Sequence, residues 1–132
     1  MLYSDIKQIR ELVGDDWRDT IEQMRASDDV WQDQYRLIHQ DAIDEIMKEE
    51  LSSDTYVLGC FNASFIAMIT GAPQEAIEKM QAADAYDGLG HWLLEHIDDV
   101  QREYAAADGY GHHFAHYDGN EIEIGDWYAF RT

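Results

Sequence analysis

The spacing of the apolar residues constrains this chain most, because it has the period of α-helices as far as Tyr104 and changes soon afterwards. Pro73 is the only proline, so few helix breaks are imposed from within the chain. A first helix is predicted to begin at Ser4 and to end at Gly14. A second helix is predicted directly after it. Its apolar stripe consists of Trp17, Ile21 and Met24.

Longer stretches continue the helical pattern. A third helix is predicted to open at Ser27. Its inner face would hold Trp31, Tyr35, Ile38, Ala42 and Ile46. The most apolar segment, residues 55–72, is predicted to form one central core helix, because it falls short of the ~20 consecutive apolar residues of a membrane span. Further helices are predicted over residues 73–84 and 89–104.

The last quarter of the chain has a different pattern. Residues 112–117 and 121–124 are predicted to form a β-hairpin around the turn Asp118-Gly119, and residues 127–131 a last strand. The predicted fold is therefore α+β, a mainly helical domain with a small C-terminal antiparallel β-hairpin or three-stranded sheet. We expect a single domain over residues 1–132, with helices over about 4–106 and the β-hairpin region over about 111–131.

The charge of the chain narrows the range of partners. Its 28 acidic and 9 basic residues give a net charge of -19, spread along the chain as -9 in residues 1–54 and -10 in residues 55–132. Such a surface repels phosphate, so we expect no direct binding to nucleic acid and no membrane partner. Cys60 is the only cysteine, and the N-terminus lacks the pattern of a secretory signal. A cytoplasmic location is therefore predicted.

Carboxylates on the predicted second helix suggest a function for this charge. Asp15, Asp19 and Glu22 have the spacing of neighbours on one helix face, and a row of carboxylates about 5.4 Å apart can imitate a nucleic-acid backbone. The candidate partner contacts are Asp15, Asp16, Asp19, Glu22, Asp41, Asp44 and Glu45, with Tyr110 and Trp127 as aromatic anchors at the rim. A solvated acidic face that serves solubility or a halophilic origin would explain the same acidity without a partner.

Five of the six histidines lie within residues 91–116. On a β-strand, His112 and His116 would point to the same face and could hold a divalent metal ion together with Asp118, Glu121 or Glu123. No ligand spacing of known specificity is present, so a histidine-based metal protein is only an alternative. No metal site and no cofactor are predicted.

A second alternative is a papain-like cysteine hydrolase that uses Cys60 and His112. Gly-His-His-Phe-Ala at 111–115 and Trp-Tyr-Ala-Phe at 127–130 resemble the histidine box of ubiquitin-specific proteases, and Gly-Cys-Phe-Asn at 59–62 resembles their cysteine box. This chain has Arg131 where that family has an acidic residue. A continuous helix from Asp54 would leave Cys60 as an inert apolar residue in mid-helix. We therefore expect no enzyme.

The segment 107–132, with the core Gly-His-His-Phe-Ala-His-Tyr-Asp-Gly-Asn-Glu, resembles the C-terminal hairpin of small uncharacterised proteins encoded by bacteriophages and prophages. The resemblance implies a phage origin and carries no catalytic residue. Very acidic phage proteins of this size include anti-CRISPR and antirestriction proteins, which bind a host defence complex stoichiometrically. The leading hypothesis is an anti-CRISPR-like inhibitor in the host cytoplasm that binds a basic surface of a nuclease or CRISPR effector complex. Whether the protein forms a homodimer is left open by the sequence.

Overall fold

The computed structural model describes residues 1–132 and has the predicted class, an α+β fold that is mainly helical. The chain forms two compact units, unit 1 with Met1–Ile43 and Asp108–Thr132, and unit 2 with Asp44–Ala107. The elements in chain order are α1 (Tyr3–Val13), a 3-10 turn (Gly14–Asp16), α2 (Trp17–Ala26), β1 (Asp29–Gln32), β2 (Tyr35–His39), α3 (Ile43–Ser52), α4 (Thr55–Gly59), α5 (Ala63–Thr70), α6 (Gln74–Ala82), α7 (Tyr86–Leu94), α8 (Ile97–Phe114), β3 (Ile122–Ile124) and β4 (Trp127–Arg131).

Unit 1 is built on a four-stranded antiparallel sheet with the strand order β1-β2-β4-β3. Helices α1 and α2 pack against it and confirm the first two predicted helices. The buried residues of this core come from both layers and include Ile9, Val13, Ile21, Met24, Val30, Leu37, Ile124, Trp127 and Ala129. Burial of these apolar side chains holds the helices on the sheet.

Strands β1 and β2 replace the helix that was predicted from Ser27, and that prediction is wrong. Val30 is buried and Trp31 exposed, which is the alternation of a half-buried strand. The chain reverses at Asp33, which has a φ of 53° and lies in the two-residue turn between the paired residues Gln32 and Tyr35. The helix-like spacing of three and four residues between the apolar side chains of this segment is therefore accidental. Their β-branched and aromatic types, which favour strands, indicate the secondary structure better.

The C-terminal hairpin lies later in the chain than predicted. Residues 112–114 are helical instead of forming a strand. They belong to a last helical stretch of α8 that follows a break at Gly109, whose φ of 78° and ψ of 168° are not helical. The hairpin of the structure pairs β3 with β4 around Gly125-Asp126, so the prediction of a hairpin around Asp118-Gly119 is wrong. The chain does turn at Asp118-Gly119, and β3 lies within the predicted strand 121–124. The predicted strand 127–131 is confirmed, and it is a central strand because it pairs with both β2 and β3.

Unit 2 is a bundle of short helices around a buried aliphatic core. The predicted core helix 55–72 is two helices, α4 and α5, because the side chain of Asn62 accepts the backbone N–H of Ser64 at 2.8 Å and starts a new helix. The predicted helix 89–104 is likewise divided between α7 and α8. The fully buried aliphatic residues of this unit include Met47, Leu58, Ile66, Ile77, Leu89, Leu93 and Val100.

Helices α4 and α7 cross with their backbones in close contact. A Cβ atom added at Gly59 would overlap the carbonyl oxygen of Tyr86, and one added at Gly90 would overlap the carbonyl oxygen of Thr55. The crossing therefore requires glycine at both positions. None of the helices combines the length and the apolar character that crossing a membrane would require.

Candidate functional site

The basic residues of unit 2 are all held by carboxylates. Lys48 contacts Glu45 at 2.7 Å and Asp98 at 3.0 Å, and these two hydrogen bonds raise the pKa of the Lys48 ammonium. Lys79 lies 3.7 Å from Glu75, and Arg102 contacts Asp99. Unit 2 has 13 acidic and 3 basic residues, so its surface is left with a net charge of -10 and no unopposed cation.

One part of this surface is formed by α3 and the first turn of α8, and we call it the α3–α8 face. Its exposed carboxylates belong to Glu45, Glu49 and Asp98. Glu45 and Glu49 are separated by one helical turn, about 6 Å along the axis. Asp44, a predicted contact, is also exposed, and its Oδ1 accepts a hydrogen bond of 2.8 Å from the buried side chain of Gln101.

The predicted carboxylate stripe of unit 1 is exposed, but bases lie among its acids. Asp15 and Asp16 lie on the 3-10 turn, and Asp19 and Glu22 on α2. The neighbouring guanidinium groups of Arg10 and Arg18 lie 5.1 and 5.0 Å from the ring centroid of Trp17. Unit 1 has 15 acidic and 6 basic residues and a net charge of -9, but this surface is of mixed sign.

Asp16 has a further contact that the sequence did not indicate. Its carboxyl group shares a hydrogen bond with that of Asp33, and this bond, with the repulsion between the two charges, raises the pKa of Asp33. Proximity of like charges therefore favours the protonated form of one group. The signal in the sequence is weak, because the two residues meet only when β1 and β2 form the turn that carries Asp33.

The remaining predicted contacts have different environments. Asp41 is exposed, and its backbone N–H donates to His39 Nδ1 at 3.1 Å. Tyr110 is half-buried, with its ring centroid 5.5 Å from that of Tyr128. Trp127 is only 8% exposed, so its prediction as an anchor at the rim is wrong. It is buried because β4 is a central strand whose inner face packs on α1 and α2.

Cys60 lies outside any helix interior. It is exposed and caps the C-terminal end of α4, where its N–H donates to the carbonyl of Val57, so the prediction that it lies in mid-helix is wrong. The hydrolase hypothesis requires a thiol at the N-terminal end of a helix, whereas Cys60 follows the last residue of α4 and precedes Asn62, the N-cap of α5. His112, the other residue of that hypothesis, lies in the last turn of α8 and belongs to unit 1. The geometry at Cys60 gives the hydrolase alternative no support.

The C-terminal histidines do not form the predicted strand face. His112 is helical, and His116 follows the helix with Nε2 at 3.1 Å from the carbonyl oxygen of His113. The alternation that would bring His112 and His116 to one face of a strand is therefore absent. No group of three or more His, Cys, Asp or Glu side chains in the structure has the arrangement of a metal site.

Unit 1 also contains a concave site that the sequence did not indicate, and we call it the unit 1 groove. It has a volume of about 620 Å³ and lies beside α1, α2 and the turn between β3 and β4. Trp127 lines it, so this residue contributes to the site from the floor instead of from an exposed rim. The groove depends on the pairing of distant segments, which local sequence patterns do not specify.

Comparison with known proteins adds no relative to this description. No family model matches the chain, and no curated protein or solved structure is significantly similar to it. The resemblance of the C-terminal segment to phage and prophage proteins stays a prediction.

Proposed function

We propose that the protein is a phage-encoded, anti-CRISPR-like inhibitor that binds a host defence nuclease complex and occupies its nucleic-acid groove. The observation that carries this proposal is the pair of contacts at Lys48. Glu45 and Asp98 hold one ammonium group at 2.7 and 3.0 Å on an exposed acidic surface. The same arrangement of two anions around one cation is what a nucleic-acid backbone offers to the lysines of a protein groove.

The charge density of the α3–α8 face supports the same function. Carboxylates one helical turn apart, about 6 Å along the axis, have a spacing of the same order as the rise of about 3.4 Å per phosphate on a nucleic-acid strand. Unit 2 has no unopposed base that would repel a basic partner. The face therefore attracts the residues that otherwise bind phosphates.

Inhibition by this route is stoichiometric and requires no catalytic residue. One bound copy excludes nucleic acid from the groove for as long as it stays bound. Because charged contacts dominate the association, both its rate and its affinity fall as salt is added. The expected location is the cytoplasm of the host cell, where the nuclease complexes act.

The test is displacement of labelled nucleic acid from a panel of purified CRISPR effector and restriction-nuclease complexes. Fluorescence polarisation of a fluorescein-labelled target DNA is followed while the protein is added at several salt concentrations. We expect at least one complex to release the DNA at a ratio of about one protein per site, with potency falling steeply as salt rises. Binding to a complex that leaves its DNA bound, or inhibition that salt does not weaken, would contradict the proposal.

A further inference from the structure

The unit 1 groove has an apolar floor that is already largely shielded from solvent. Ile21, Met24 and Ile124 line it, and each is less than one-tenth exposed. The ring of His39 meets Trp127 edge-on with a centroid distance of 5.2 Å, which holds both rings in place. A groove of about 620 Å³ with these apolar groups at its floor has room for a large side chain.

The rim of the groove is acidic. Asp5, Asp28 and Asp126 contribute carboxylates to the lining, and Arg25 is its only guanidinium. Asp5 Oδ2 accepts the backbone N–H of Leu2 at 3.1 Å, and Gly125 lies so near that an added Cβ there would come within 2.8 Å of the Asp5 carboxylate. The rim therefore favours cationic groups beside whatever fills the floor.

His39 supplies one polar group of fixed orientation. Its Nδ1 accepts the backbone N–H of Asp41 at 3.1 Å, so Nε2 is the nitrogen that carries the proton of the neutral ring. A hydrogen-bond donor on a residue that lines the groove matches the carbonyl groups of a peptide backbone.

We infer that the unit 1 groove binds a segment of a basic partner protein in which a large apolar side chain is flanked by lysine or arginine. The apolar side chain fills the floor over Trp127, and the flanking cations contact Asp28 and Asp126. The choice of occupant follows from charge complementarity with the rim, and it rests on the proposed function for the basic character of the partner. An anchor of this kind adds specificity that exposed carboxylates alone do not supply.

A defined peptide tests the groove without the nuclease. The probe is the peptide acetyl-Lys-Lys-Phe-Leu-Arg-Lys-amide. Its binding is measured in NMR spectra of the labelled full chain, from the chemical shifts of the Trp127 indole N–H and the backbone amides of Ile124 and Gly125. The indole groups of Trp17 and Trp92 serve as internal references. We expect the Trp127 group to shift, and peptides with Glu in place of each base or with Ser-Ser in place of Phe-Leu to bind at least about tenfold more weakly.

Two double variants with the same net charge separate the rim from the general acidity. Asp28→Lys with Asp126→Lys is expected to weaken the probe about tenfold or more, and Asp15→Lys with Asp108→Lys to change its affinity less than about twofold. Equal losses in both variants, or equal binding of the Ser-Ser peptide, would overturn the inference. Groove binding without inhibition of any nuclease would reject the proposed function alone, whereas inhibition without probe binding in the groove would reject only the groove.

Discussion

Units 1 and 2 have nearly the same net charge, -9 and -10, but their basic side chains have different partners. In unit 2, Lys48, Lys79 and Arg102 are each within ion-pair distance of a carboxylate. In unit 1, Arg36 pairs with Asp29 at 2.7 Å, but Arg10 and Arg18 lie over Trp17, and Arg131 lies 3.9 Å from the ring centroid of Tyr117. An ion pair cancels one positive and one negative charge, so the field of unit 2 comes from the carboxylates that outnumber its bases, whereas a cation over an aromatic ring keeps its charge at the surface.

This difference teaches that a net charge does not locate an electrostatic surface. In unit 1, exposed cations lie among the acidic side chains, so the sign of the surface potential changes over short distances. In unit 2, each basic side chain is already paired with a carboxylate, so the net negative charge belongs to the remaining acids. We therefore assign the nucleic-acid-like contact to the α3–α8 face and the apolar contact to the unit 1 groove.

The two units also differ in their internal packing, because only unit 2 depends on a close crossing of helix backbones at glycine. Variants at these glycines are expected to have the largest effect on stability. Gly90→Ala places a methyl group against the backbone of Thr55, which cannot move aside as a side chain can. We expect unit 2 to lose about 3 kcal/mol or more of unfolding free energy, measured by denaturant unfolding.

Gly88→Ala is the matched control, because it lies on the same helix and an added Cβ would meet no atom within 4 Å. This change should stabilise the chain by about 0.5–1 kcal/mol through the higher helix propensity of alanine. Similar stability for the two variants would contradict the close approach of α4 and α7.

A smaller effect is expected from Asp33→Asn in unit 1. The pKa of Asp33 is raised in the folded protein, so stability is lost as pH rises from the ordinary value of 3.8 through the raised pKa. Asparagine removes one charge of the pair with Asp16 and tolerates the φ of 53°. The melting temperature of the variant should exceed that of the wild type at pH 7, and this excess should shrink below pH 3.8.

The control for this effect is Asp108→Asn, an exposed aspartate of the same unit. It removes the same charge without touching the Asp16–Asp33 pair, so it reports the general benefit of a lower net charge. An equal rise in melting temperature for both variants would show that the pair contributes nothing specific.

Local patterns were sufficient to predict the elements that depend on neighbours in the chain. The apolar stripe of α2 and the glycine after α1 specify those helices without reference to any other segment. Strand β2 is different, because it pairs Tyr35 with Arg131, about three quarters of the chain away. A local periodicity contains no information about so distant a partner. The spacing of Trp31, Tyr35 and Ile38 fits a helix until that pairing is known.

The features of the candidate surfaces likewise divide into those that local sequence predicts and those that depend on distant pairing. The exposure of Asp44 and Glu45 could be predicted from their positions beside a buried helix face. The burial of Trp127 and the existence of the unit 1 groove could not, because both result from β4 joining the centre of the sheet. The break at Cys60 was missed because the capping amide of Asn62 lies within an otherwise continuous apolar run.

The most direct test of the account compares two charge reversals in binding to a nuclease complex that the displacement panel identifies. Glu45→Lys with Glu49→Lys changes the α3–α8 face, and Asp19→Lys with Glu22→Lys changes α2. Each variant replaces two acids by lysine, so both raise the net charge of -19 by four, to -15. Affinity is measured against salt, with melting temperatures to verify folding.

We expect the α3 pair to lower affinity about 100-fold or more and to flatten the salt dependence, and the α2 pair to lower it less than about tenfold. Equal losses for the two pairs, or a larger loss for the α2 pair, would contradict the central claim that the α3–α8 face takes the place of nucleic acid.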